Sequence, residues 1–152
     1  MNVRVKIKGL DEFKKGLEKS PKTTVQELSK AIKKTVLTIE SKAKREAPVN
    51  KQAGGGNLRQ SIKASMISIT RGKVEVGADY GIYVHEGTRP QIIRRRNKKV
   101  LANERSGKVF GPVVHHPGTR ANPFLTKAVK KSQNQVIKYF QTALENVIKT
   151  FK

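Results

Sequence analysis

TVQELSKAIKKTVLTIESKAKREAP, running from Thr24 to Pro48, is the stretch on which the fold turns. Val25, Leu28, Ile32, Val36, Ile39 and Ala43 recur at intervals of three and four, one apolar stripe over about five helical turns. Lys30, Lys33, Lys34, Lys42 and Lys44 fall on the other faces. Two starts fit: Ser20 ahead of Pro21, or Thr24 with Glu27 three residues on, the spacing of a capping box. Ala47-Pro48 closes the helix, because the residue before a proline is pushed out of the helical region. Such a stripe predicts core packing.

A second long helix is expected at the other end. Asn122 suits an N-cap and Pro123 the first helical position. Leu125, Val129, Val136, Phe140, Leu144, Val147 and Phe151 keep helical spacing, and only Gln133 breaks the stripe. Strands are expected between and before the helices. Val3, Val5 and Ile7 alternate with basic residues in the two-residue period of a half-buried strand. Leu10, Phe13 and Leu17 then suggest a short helix capped by Asp11. Asn57 can cap a helical turn through Leu58 and Ile62. Met66–Ile69 and Lys73–Val76 flank Arg71-Gly72 as a hairpin with glycine at the turn. Tyr80–Thr88 reads as a strand or as a tight helix-to-loop passage. Val100-Leu101 and Val109-Phe110 suggest a second hairpin. The expected fold is therefore α+β: an antiparallel sheet of about four or more strands packed against two long amphipathic helices. One domain over residues 1–152 is expected, with a flexible glycine-rich loop at 49–57 and a basic extended loop at 89–121.

Charge limits the chemistry. Lys and Arg total 33 against 11 Asp and Glu, a net charge of +22. Residues 88–152 carry 15 of the basic side chains but only Glu104 and Glu145 among the acidic ones. That excess favours polyanionic partners and argues against a carboxylate metal site or a paired-carboxylate hydrolase. Cysteine is absent, which removes disulfides, Cys–zinc sites and thiol nucleophiles. No run approaches the roughly 18–20 apolar residues of a membrane span, and the first residues lack the apolar stretch of a secretory signal. His85, Glu86, His115 and His116 are the sole sparse polar set with metal-ligand character, but they lack a metal-binding spacing. No serine lies in a nucleophile elbow, and Gly54-Gly55-Gly56 lacks the ending of a phosphate-binding loop. No catalytic, cofactor or metal residue is assigned. The one charged cluster is Arg94, Arg95, Arg96, Lys98 and Lys99, bracketed by Ile92, Ile93, Val100 and Leu101. It suits phosphates or an acidic protein surface, with no aromatic side chains for base stacking.

Four segments, in order, resemble a family of tail components of long-tailed bacteriophages, the tail completion or neck proteins. They are Val5 to Leu10 with Phe13; Ala47-Pro48 with Asn57-Leu58-Arg59-Gln60-Ser61-Ile62; Tyr80 through Gly87-Thr88, where His85 precedes Glu86; and His116-Pro117-Gly118-Thr119 with Pro123, Phe124, Leu125 and Ala128. Gly87, Thr88, His116 to Thr119 and Pro123 to Leu125 are the structural motif this resemblance picks out. The resemblance implies a small α+β virion protein without enzymatic activity or cofactor. It would act in tail completion or head–tail joining as a homo-oligomeric ring, with six subunits an option. Its partners would be other tail or connector proteins, with non-specific DNA contact in the channel as an addition and no membrane. It would reside in the tail or neck of the virion, and in the host cytoplasm before assembly. The alternative is a small basic protein that binds nucleic acid without sequence preference, which explains the charge alone.

Overall fold

The structure, a computed structural model, describes residues 2–3, 22–49, 55–95, 101–103 and 107–149. The chain divides into two compact units: residues 1–81 with 123–152, and the excursion Ile82–Asn122.

The first unit is organised by helix α1 (Lys22–Glu46). Its buried residues are Thr24, Leu28, Ala31, Ile32, Thr35, Val36, Ile39 and Ala43, so the expected stripe packs inward, broadened by two threonines and an alanine. Val25 is half-buried. The buried Thr35 hydroxyl donates to the Ala31 carbonyl at 2.9 Å, which satisfies it within the helix. After the short helix α2 (Asn57–Ser61) the chain forms β2 (Ile62–Ser68) and β3 (Arg71–Val76). Together with β1 (Asn2–Val3) they make an antiparallel sheet in the order β1-β3-β2. Val3 pairs with Val74 and Ile62 with Val76, and the β2–β3 register shifts between Met66 and Ser68. Ile62, Val74 and Val76 are buried with Leu58 and the α1 stripe. Glu40 of α1 ties helix to sheet: one carboxylate oxygen accepts the Ala64 N–H at 3.2 Å, and the other takes Lys44.

The last helix, α4 (Phe124–Lys149), packs along α1. Lys131 reaches Glu46, Thr38 meets Tyr139 at 3.0 Å, and Asn146 donates to Glu27 at 3.0 Å, so the two helices run antiparallel. The buried face of α4 is Phe124, Leu125, Ala128, Ser132, Ala143 and Val147. Small residues make up half of this face, Ala128, Ser132 and Ala143, and the Ser132 hydroxyl donates to the Ala128 carbonyl at 2.7 Å. This face is rotated from the expected stripe: Val129, Val136 and Phe140 are half-buried, and Leu144 is 40% exposed.

The expected sheet is corrected. Among the described residues no single sheet of four or more strands packs on two long helices. The described strands divide into one three-stranded sheet and two separate two-stranded ribbons. The described helices number four, two of 25 and 26 residues and two of five and six. The strands separate because those of the second unit pair with each other and not with β1–β3. Two local readings also change, and one left open is decided. The β2–β3 turn lies at Ile69-Thr70, and Gly72 is inside β3, opposite Met66. Gly56, with φ +129°, holds the N-cap position expected for Asn57. Tyr80–Thr88 resolves as helix α3 (Gly81–Glu86) followed by a bridge residue. Val5, Ile7, Leu10, Phe13, Leu17 and Phe151 lie outside the described residues, as do most positions of the glycine-rich loop.

Candidate functional site

The second unit contains every motif residue from Gly87 to Thr119. Its local logic begins where α3 ends. Gly87 takes φ +78°, and the chain turns so that Thr88 pairs with Thr119 in an isolated antiparallel bridge. Thr88 N–H donates to the Thr119 carbonyl at 2.9 Å and Thr119 N–H to the Thr88 carbonyl at 3.1 Å. Gly118, at φ +82°, sits beside this pair. A side chain on Gly87 would collide with the Thr119 carbonyl and the Ala121 N–H, and one on Gly118 with the Thr88 carbonyl. The two glycine motifs, 31 residues apart in sequence, are thus the two halves of one clasp. His116 completes it: its Nδ1 accepts the Gly118 N–H at 3.1 Å, which places the proton of the neutral ring on Nε2. Asn122 N–H then donates to the Val84 carbonyl at 3.0 Å, returning the chain to α3.

Beyond the clasp, β4 (Gln91–Arg94) pairs with β7 (Val113–His116) from Gln91–His116 to Arg94–Val113. The Arg95 N–H extends the pairing to the Pro112 carbonyl at 3.0 Å. A second ribbon, β5 (Leu101–Asn103) with β6 (Lys108–Phe110), is enclosed in sequence by the first. It pairs Leu101 with Phe110, the hairpin expected from the sequence. The β4–β7 ribbon departs from the extended loop expected over 89–121, although Ile92-Ile93 and Val113-Val114 carry the β-branched signal. Both ribbons are two-stranded, so among the described residues their outer edges carry unpaired backbone groups. Their side chains are unusually apolar for a surface: Ile92 is 53% exposed, Val109 67%, and Phe110 and Val113 about two-fifths.

Arg94 lies on β4 and Arg95 follows it, both with exposed side chains. Arg96, Lys98 and Lys99 fall outside the described residues. A groove of about 730 Å³ lies against the clasp, bordered by Tyr83, Glu86, Arg89, Ile93, His116 and Thr119. His115 and His116 are consecutive in β7 and point to opposite faces, so they do not converge on one ion. Among the described residues no group of three or more His, Asp or Glu side chains could hold a metal. His85 is held below the ordinary histidine pKa by burial, against a smaller raising effect of the Glu86 carboxylate. Pro123, Phe124 and Leu125 belong to the first unit, where Phe124 and Leu125 anchor the start of α4 with 0% and 1% exposure.

Comparison with known proteins gives the arrangement its class. The chain is a bacteriophage tail-associated structural protein, a non-catalytic component that works with other tail proteins. Residues 11–87 match the HK97-gp10-like family of bacteriophage tail components, and the chain belongs to that family. The match takes in α1, α2, β2, β3 and α3 and stops at Gly87, the first residue of the clasp. No curated protein and no solved structure matches the chain. No described helix is long and apolar enough to cross a membrane.

Proposed function

We propose that the chain is a ring subunit in the neck or tail of a tailed phage or prophage, acting in tail completion or head–tail joining. The observation that carries this reading is the match of residues 11–87 to a tail-component family. The bare ribbon edges and exposed Ile92, Val109, Phe110 and Val113 support it, since a subunit held between neighbours needs surfaces of this kind. On this reading residues 1–152 act as one tail-completion domain, present in the host cytoplasm until it enters the virion. Arg94, Arg95, Arg96, Lys98 and Lys99 meet an acidic surface of a neighbouring tail or connector protein, and Ile92 and Ile93 add apolar contact beside them. A second reading, contact with duplex DNA in the channel, is favoured by the net charge of +22.

Deletion of the gene from the phage genome, followed by electron microscopy of the lysate, tests the assignment. Filled heads with unjoined tails, or tails of defective length, are expected. Normal infectious particles would refute it.

A further inference from the structure

We propose, resting on the ring reading above, that the β4–β7 ribbon continues from subunit to subunit: the outer edge of β4 in one copy of this chain pairs with the outer edge of β7 in the next. The Arg95 N–H donates to the Pro112 carbonyl at 3.0 Å, and facing pairs alternate from there along the antiparallel register. Ile93 with Val114, and Gln91 with His116, turn their backbone groups toward each other. Ile92 and Arg94 on β4, and Val113 and His115 on β7, therefore turn theirs outward. Among the described residues no backbone group pairs with these outward ones. The side chains of the same four residues share one face of the ribbon, and all four are exposed. A two-stranded ribbon is marginal in water, and added strands stabilise it.

β2, an outer strand of the three-stranded sheet, is treated differently. Ser61 accepts the Gly77 N–H at 3.0 Å, so the Ala64 N–H points away from β3. The Glu40 carboxylate takes that N–H at 3.2 Å, and the neighbouring Lys63 is exposed. An occupied edge amide and a lysine beside it both hinder strand addition. The ribbon edges have no such carboxylate among the described residues, and β7 carries neither lysine nor arginine.

The pattern of the two edges identifies the occupant as a second copy. Each edge alternates N–H donors with C=O acceptors, which a strand matches and a phosphate backbone, having acceptors only, does not. A strand from a different protein would cover one edge and leave the other bare. A copy of this chain covers both, because the two edges are four residues each and run antiparallel. In the register that the chain already uses, Arg94 of one copy faces Val113 of the next and Ile92 faces His115, so no two arginines are directly opposed. Ile92 and Val113 then lie diagonally across the new seam on one face, within apolar reach. Contact between two different edges is heterologous, the kind of interface that closes into a ring.

The test uses the purified full-length chain, in salt that screens its charge. The chain has no cysteine, so a single introduced one reports alone. Ile92→Cys and His115→Cys are made as separate proteins, mixed and oxidised; residues directly opposite on paired strands lie within disulfide reach. The mixture is expected to give severalfold more covalent dimer, joined 92 to 115, than either protein alone. Arg94→Pro added to the first protein, or Val113→Pro added to the second, removes one outward N–H and no hydrogen bond of the ribbon itself. Each is expected to lower the cross-link to the level of the single proteins. Hydrogen-exchange protection of the Ile93 and Val114 amides checks that the ribbon survives, and the two blocks lie on opposite strands so that one can stand in for the other. A mixture that gives no more dimer than the separate proteins, or dimers joined mainly 92 to 92 or 115 to 115, would overturn the proposal. So would a mixed dimer that persists in a blocked variant whose ribbon stays protected. Gene deletion reads the role in the particle and the cross-link reads the contact in the purified chain, so either can fail while the other holds.

Discussion

Gly72 and Val36 touch where the sheet meets α1: a Cβ built on Gly72 would lie 2.5 Å from Val36 Cγ1. The glycine is there to let a helix approach, with Ile32 and Met66 closing the same space at about 3.5 Å. Val36 is stiff and buried, so it cannot step aside cheaply. Gly72→Ala is expected to cost about 1–3 kcal/mol through overpacking. In the Val36→Ala background the same change should cost less, because the added methyl occupies the vacated space. Urea unfolding of the four-protein cycle measures this, and strict additivity would show that Gly72 does not pack against Val36.

The clasp makes a graded prediction. Gly87, Gly107 and Gly118 all have positive φ, but only Gly87 and Gly118 face backbone atoms that a Cβ would strike; nothing lies within 4 Å of Gly107. Gly107→Ala should cost about 1–2 kcal/mol locally, the conformational term alone. Gly87→Ala and Gly118→Ala should cost more and release the β4–β7 amides. Hydrogen exchange is the measurement. The Ile93 and Val114 amides, which face each other across the ribbon, should exchange faster in the two clasp variants than in Gly107→Ala. Equal protection in all three would remove the clasp.

Rotation of the α4 stripe separates two truncations that look alike in sequence. Ile32 is 6% exposed and Leu125 1%, so Ile32→Ala and Leu125→Ala should each cost about 2–5 kcal/mol. Leu144, 40% exposed, should lose much less on the same change. Chemical denaturation compares them, and a Leu144→Ala loss as large as that of Leu125→Ala would contradict the buried face described for α4.

His85 gives a pH dependence with a definite sign. Burial lowers its pKa in the folded chain below the 6.5 of an ordinary histidine. As pH falls from 6.5 toward the folded value, the unfolded chain takes up the proton and the native one does not. Stability is therefore full above 6.5 and declines through that window. His85→Gln should flatten the decline between neutral pH and the onset of carboxylate titration. An unchanged slope in denaturant titrations would show that His85 contributes none of it.

The basic cluster is tested by changing Arg94, Arg95, Arg96, Lys98 and Lys99 to Gln together. Arg94 is exposed, so the loss of its charge should move stability by no more than about 0.5 kcal/mol. A protein partner predicts failed joining in complementation assays with duplex affinity little changed. A DNA contact predicts assembled particles and a weaker, less salt-dependent duplex affinity. Normal joining with normal DNA affinity would leave the cluster a solvated face.

What was legible in the sequence followed from local periodicity. The α1 stripe from Leu28 to Ala43 could be read because large aliphatic residues mark it, and Leu101 with Phe110 because a short hairpin advertises itself. The α4 face was misjudged because Ala128, Ser132 and Ala143 do not register as apolar. They are buried on the face of α4 that packs along α1, where small side chains permit close approach. Gly72 reads as a turn residue in the sequence, since a glycine beside an arginine looks the same whether it bends a chain or admits a neighbour. The β4–β7 ribbon was missed because its partners are separated by residues 95–112, beyond any local signal. The clasp residues were visible as two motifs, while their mutual pairing depended on a three-dimensional contact that neither motif encodes alone.

The Thr88–Thr119 bridge also bears on how the chain can diversify. It fastens the segment between Thr88 and Thr119 by two hydrogen bonds and by two glycines at which any side chain would strike backbone. Lengthening a fastened segment raises its closure cost only logarithmically. Between these posts a lineage can therefore insert, delete or recharge residues to follow a changing neighbour, while the helices and sheet on the other side inherit none of the disturbance.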